Sequence, residues 1–170
     1  DKFTVRGHSM GGRTAMTLAA RYPDRVDGCI SVDAAPVNEN DNFKFGSFAE
    51  SVLKFMAEMG QKEGMTGKFA VENAKEFFAG KPQFVALVPR SIVIGKGHGY
   101  EDPIKYAVNI ETLLSQFSNI PYFDESLRYE GPSLNIVGGK SRIYDLESYQ
   151  KIFPNCTEQD VVTIEEAGHW

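Results

Sequence analysis

Phe3-Thr4-Val5-Arg6-Gly7-His8-Ser9-Met10-Gly11-Gly12-Arg13-Thr14-Ala15-Met16 is the stretch on which the rest of the chain depends. An apolar, strand-like run ends in Gly7-His8-Ser9-Met10-Gly11, and a helix-like run follows at once. This is G-x-S-x-G between a strand and a helix, the setting of a nucleophile elbow. A serine at the tip of so tight a turn takes a strained backbone conformation, and the chain passes close to itself on both sides. Residues without a Cβ fit there, so Gly7 and Gly11 are expected to supply the room. The turn lifts the Ser9 hydroxyl clear of the sheet. It also aims the first helical N–H groups, backed by the positive helix end, at any oxygen beside it. The bland alternative is a βα turn with an incidental serine.

Outward from the elbow, Gly12 to Tyr22 sets Ala15, Met16, Ala19 and Ala20 on one helical stripe, and Pro23-Asp24 stops it. Small residues let such a helix lie close to a sheet. Val26 to Val32 is the next apolar run, ending at Asp33 and Ala34-Ala35-Pro36-Val37. Strand, helix, strand in so short a span is a βαβ unit with a parallel pair. In open parallel sheets chemistry collects at the carboxyl ends of the strands. Ser9 and Asp33 stand at two such ends, one strand apart.

The pattern then changes. Phe48, Val52, Phe55, Met56 and Met59 follow helical spacing, and Phe69 to Phe78 predicts a second helix ended by Gly80 and Pro82. Phe84 to Ile94 is ambiguous between helix and strand. Gly95 to Gly99 is a loop around His98, and Asp102-Pro103 predicts the cap of a helix carrying Ile104, Val108, Leu113, Leu114 and Phe117. Residues 38–127 therefore read as a helical insertion, rich in Phe and Met, that would suit an apolar lid; most of those side chains are more simply helix-packing core. Residues 1–37 hold the elbow strand, its helix and the next strand. Residues 128–170 hold the last strands: Leu134 to Val137, a helix from Asp145 to Phe153, and Val161 to Ile164, followed by Glu165-Glu166-Ala167-Gly168-His169-Trp170.

Composition narrows the chemistry. At 170 residues, 42% hydrophobic and 24% charged, the chain has the make-up of one globular domain. A net charge of −5 with no basic run argues against a nucleic-acid partner. No apolar stretch is long enough to span a bilayer as a helix. Cys29 and Cys156 have no metal or redox spacing, and Cys29 reads as a small core residue in a reducing compartment. No His, Cys and carboxylate cluster has ligand spacing, so neither metal nor cofactor is expected. A serine on an elbow needs an imidazole to take its proton. Of the three histidines, His8 lies inside the elbow and should point away from the Ser9 hydroxyl, as a turn or pocket-wall residue. His98 reads as a surface histidine. His169 stands at the carboxyl end of the last strand and is the expected base.

These segments resemble the α/β-hydrolase superfamily, a mostly parallel sheet with flanking helices and here a helical lid insertion. More narrowly they resemble the mitochondrial abhydrolase domain-containing eleven group and related short-chain bacterial esterases. The carrying residues are Gly7 to Gly12, Val32 to Val37, Tyr129 to Leu134, Val137 to Ser141, Phe153-Pro154 and Ala167 to Trp170; the insertion matches only around Tyr106 to Leu114. The order serine, acid, histidine is that of the superfamily. Many members carry the acid in a Gly-x-x-Asp turn after the strand ending near Val137. That turn here is Gly138-Gly139-Lys140-Ser141, without a carboxylate. The similar esterases use the aspartate one strand after the nucleophile, which maps onto Asp33. Asp145 is the fallback, although as the first residue of a helix it is more simply an N-cap.

The resemblance implies a serine hydrolase that cleaves small carboxylic esters or thioesters through an acyl-enzyme, located in the mitochondrion. Ser9 is the nucleophile, His169 the base, Asp33 the acid and the Met10 N–H one oxyanion donor. The second donor in this fold comes from a loop after an earlier strand, in the N-terminal half of the fold that this chain lacks. The chain is therefore expected to belong to a longer polypeptide, or to be completed by another chain. The rival is a catalytically silent hydrolase-fold subunit acting as a scaffold in a larger mitochondrial assembly. Folds host many functions, so fold alone does not decide between them.

Overall fold

The computed structural model describes residues 1–36, 45–94, 97–119, 123–141 and 146–169. They fall into two compact units: Asp1–Phe43 with Tyr122–Trp170, and Lys44–Pro121.

The first unit is built on four parallel strands in the order β1 (Phe3–His8), β2 (Val26–Val32), β3 (Ser133–Gly138) and β4 (Val161–Ile164). The register sets His8 opposite Val32, Val32 opposite Ile136, and Gly138 opposite Ile164. Ser9, Asp33 and the loop after Ile164 therefore emerge from one edge of the sheet. Helix α1 (Met10–Arg21) connects β1 to β2 and buries Gly12, Ala15, Met16 and Ala19. Its stripe of small residues has a steric cause at Gly12, where a Cβ would lie 2.6 Å from the Ala34 Cβ. Tyr22 closes the helix through its N–H to the Leu18 carbonyl, and Pro23 forbids another turn.

The core of this unit joins Met16 and Ala19 to Val26, Cys29, Val137, Phe153 and Cys156. Burial pushes the Cys29 thiol up to about 12, as expected of an inert core cysteine. Two polar side chains are fully buried between β2 and β3. The Ser31 hydroxyl donates to Asn135 Oδ1 at 2.6 Å, and Asn135 Nδ2 donates to Cys156 Sγ at 3.4 Å. Satisfied this way, they cost little and fix the register of the pair.

The second unit is helical: α2 (Phe45–Gln61), α3 (Gly67–Phe77), α4 (Pro82–Val85), α5 (Leu87–Ser91) and α6 (Ile110–Ser115). Val52, Phe55, Met56 and Met59 of α2 are buried with Ala70, Ala74, Phe78, Val88, Ile92 and Ile110, so the helical spacing read in the sequence is a core stripe. Thr66 caps α3 by accepting the Phe69 N–H, and Asn109 caps α6 by accepting the Thr112 N–H. The expected helix starting at Asp102-Pro103 does not form. Residues 103–107 are extended instead: Ile104 N–H donates to the Met65 carbonyl, and Tyr106 bridges Ile92 in antiparallel fashion. Ile104 and Val108 had mimicked one helical turn, but the backbone pairing took precedence. The ambiguous 84–94 stretch contains the end of α4, all of α5 and the bridge residue Ile92. Among the described residues, no helix is long and apolar enough to cross a membrane.

Helix α7 (Leu146–Ile152), back in the first unit, connects β3 to β4. Its Tyr149 is buried, with the hydroxyl donating to the Ala34 carbonyl at 2.5 Å. The fallback acid Asp145, just before it, lies outside the described residues, as does Trp170.

Candidate active site

At the carboxyl edge of the sheet the chain turns sharply from β1 into α1 at Ser9, which has φ 56° and ψ −123°. Its side chain makes no capping bond to the helix, although serine is a favoured cap. The hydroxyl is engaged elsewhere. Steric crowding in the elbow falls on Gly7, where a Cβ would lie 2.0 Å from the Gly11 carbonyl oxygen. Gly11 itself corrects the expectation from sequence, since a Cβ there would meet nothing within 4 Å. The backbone of Gly11 is the obstacle, and the second position that must lack a side chain is Gly12.

Asp33 leaves β2 in an equally unusual conformation, φ 45°. Among the described residues, Ser9 and Asp33 are the non-glycine residues with positive φ. Such strain persists only where surrounding contacts enforce it, and it collects at functional sites. The enforcing contacts are visible at Asp33, whose N–H donates to the Ile136 carbonyl at 2.7 Å. Its Oδ1 accepts the Gly138 N–H at 2.8 Å, and its Oδ2 accepts the Ser141 hydroxyl at 2.6 Å.

The last loop brings His169 between these two residues. Its Nδ1 lies 2.5 Å from Asp33 Oδ2, and its Nε2 lies 2.9 Å from Ser9 Oγ. A carboxylate only accepts, so Nδ1 carries the proton and Nε2 is left with a lone pair toward the serine hydroxyl. Burial alone would raise the Asp33 carboxyl. The donors from His169, Ser141 and the Gly138 N–H outweigh it and hold the group below its ordinary 3.8. The aspartate is therefore ionised at neutral pH, as a partner for an imidazolium must be. Helix α1 begins at Met10, and the Ser9 carbonyl takes the N–H groups of Gly12 and Arg13. The Met10 N–H, in the first helical turn, has no intrahelical acceptor.

The structure thus brings together Ser9, Asp33, His169 and the Met10 backbone. His98 belongs to the second unit. Ser141 is the residue that sequence reading missed: its turn drew notice for lacking a carboxylate, and the hydroxyl found there steadies the carboxylate supplied by β2. The turn is held against the last loop. Lys140 N–H donates to the Ala167 carbonyl at 2.9 Å, Gly139 N–H to the Ile164 carbonyl at 3.0 Å, and the Lys140 ammonium pairs with Glu166.

Comparison with known proteins agrees with this fold. The family model described as alpha/beta hydrolase fold matches residues 1–170. A mouse protein described as an sn-1-specific diacylglycerol lipase, ABHD11, is 28% identical over 96% of this chain and 52% of its own length. A putative esterase/lipase of Haemophilus influenzae is 30% identical over 100% of this chain and 55% of its own. Among solved structures, a marine microorganism esterase superposes with a TM-score of 0.71 at 26% identity, over 99% of this chain and 64% of that one. The chain spans about half the length of the curated relatives it matches.

Proposed function

Since the chain belongs to the alpha/beta hydrolase fold family, we propose that it carries the reacting residues of a serine hydrolase, one that cleaves carboxylic ester or thioester bonds through an acyl-enzyme. The observation that carries the reading is the unbroken hydrogen-bonded row Asp33–His169–Ser9 at one sheet edge.

In this reading Ser9 Oγ attacks the acyl carbon while His169 Nε2 takes its proton. The former carbonyl oxygen becomes an oxyanion beside the Met10 N–H, at the positive end of α1. Collapse breaks the bond to the leaving alcohol or thiol, and the imidazolium returns the proton to it. Water then attacks the acyl-enzyme with the same histidine as base; the acyl–Oγ bond breaks, the carboxylic acid leaves, and the imidazolium returns the proton to Ser9 Oγ. Asp33 keeps its charge throughout, fixing the tautomer and stabilising the imidazolium. Ser141 and the Gly138 N–H hold Asp33 in place. The names of the mouse and bacterial relatives favour an ester over a thioester as the substrate. Transfer of the acyl group to an acceptor other than water uses the same residues. A mitochondrial address and the second oxyanion donor belong to the same proposal and await the intact protein.

The test is labelling of the intact protein with a fluorophosphonate probe, beside a Ser9→Ala control. The probe traps a serine activated by its base and oxyanion hole. Labelling of the native protein and none in the control is expected. An intact, folded sample that stays unlabelled would favour a scaffold role.

A further inference from the structure

His8 stands one residue before the nucleophile and has no part in the proton path above. Its Nε2 lies 2.9 Å from the backbone carbonyl oxygen of His169, and the two rings face each other at 4.9 Å between centroids, tilted by 35°. A carbonyl accepts only, so His8 Nε2 carries a proton and donates. We propose that His8 is a positioning residue for the base: it ties the His169 backbone to the strand that carries the nucleophile. This inference rests on the triad reading of Ser9, His169 and Asp33.

The loop after β4 explains why a tie is needed. Ala167 is pinned on both sides, its N–H to the Ile164 carbonyl at 3.0 Å and its carbonyl to the Lys140 N–H at 2.9 Å. Between that pinned residue and His169 lies Gly168, where a Cβ would meet nothing within 4 Å. Its carbonyl lies close to Gly138, but no side chain locks its dihedrals, and glycine is the most permissive backbone. The two soft dihedrals of Gly168 separate the last pinned peptide from the base. The imidazole is also held by its own side-chain bonds, but these do not all survive turnover. Once Ser9 Oγ is bonded to the acyl carbon, it no longer donates to Nε2. In that interval the Asp33 bond holds the ring and the His8 bond holds the backbone behind it. The bond is solvent-exposed, so it adds little to stability; its effect is on where Nε2 sits.

The experiment compares two variants in the intact protein. His8→Phe keeps a ring beside His169 and removes the donor. His8→Gln places an amide nitrogen the same number of bonds from Cβ as Nε2 and restores the donor. With a short-chain aryl ester, His8→Phe is expected to lower kcat about tenfold while KM changes less than about twofold, since small misplacements of a reacting group cost rate more than binding. His8→Gln should recover most of that loss, and melting temperatures should stay close to wild type. A readout independent of turnover is the downfield NMR resonance of the His169 Nδ1 proton shared with Asp33. It should broaden in His8→Phe and return in His8→Gln. Wild-type kcat in His8→Phe, or a Gln variant no better than Phe, overturns the proposal. Should Ser9→Ala retain activity, the triad reading falls and the tie is judged by the resonance alone: unchanged in His8→Phe, it overturns the tie; lost there and regained in His8→Gln, it upholds it. If His8→Phe does not fold, His8→Asn takes its place, because its amide nitrogen stops one atom short of the carbonyl.

Discussion

Ser141 shows how much a single hydroxyl can do for an acid it does not replace. It donates at 2.6 Å to the same Asp33 oxygen that faces His169. Hydrogen bonds to a charged group contribute about 1.5–3 kcal/mol. Ser141→Ala is therefore expected to raise the Asp33 carboxyl toward its ordinary value and to slow ester hydrolysis without abolishing it. Titration of the aspartate by NMR, with kcat measured alongside, checks both; an Asp33 that titrates as in wild type would refute the role. The same carboxyl has a pH signature. Its folded value is held below the ordinary 3.8, so its contribution to stability is fully present above that value and lost as pH falls through the depressed one. The stability difference between wild type and Asp33→Asn, measured by denaturant unfolding from pH 5 downward, should shrink on acidification. A difference that stays constant or grows would contradict the linkage. In the sequence, Asp33 and His169 could be picked out because strand ends and chain order place them. The strained φ of Asp33 and the service of Ser141 could not, since both depend on partners more than a hundred residues away.

Among the elements, the end of β3 is closely constrained. At Gly138 a Cβ would lie 2.8 Å from the carbonyl oxygens of both Ala167 and Gly168, and at Gly139 it would lie 2.7 Å from that of Glu165. These glycines exist so that the β3 turn can touch the backbone of the loop that ends in His169. Gly138→Ala must push that loop away, and overpacking of this kind costs about 1–3 kcal/mol. Displacing the base by about 1 Å costs roughly a hundredfold in rate. The expected result is a folded protein with kcat reduced on that order, while Gly168→Ala, with open space around its Cβ, keeps near-wild-type kcat. Equal activities in the two variants would show that the approach of β3 to the loop does not position the base. The strands themselves were legible because their apolar runs are bounded by turn residues, and the α2 stripe because its period is unambiguous. The 103–107 segment is not legible, because extended backbone paired with Met65 and Ile92 leaves no periodic trace in the sequence.

The described residues form two cores, one around the sheet and one among the helices, each with its own set of buried residues. Among the described residues the sheet ends at β1 and β4. β1 hydrogen-bonds to β2 along one side and stands last in the four-strand order, so among the described residues no strand lies along its other side. Phe3 is 42% exposed there, and β4 at the far end exposes Val162 and Ile164. An open, partly apolar strand edge is a template for another chain. The relatives are about twice as long as this chain, and our proposal is that the rest of the protein supplies the strand that covers β1. Two measurements follow. Expressed alone, residues 1–170 should elute as oligomers or aggregates in size-exclusion chromatography with light scattering. In the intact protein, the Phe3–His8 amides should exchange with solvent as slowly as those of β2, because a strand paired on both sides opens only with the core. A stable monomer of 1–170, or fast exchange along β1 in the intact protein, would mean that the nucleophile's strand is an edge by design. The second oxyanion donor that our proposal calls for would then have to be sought within these residues.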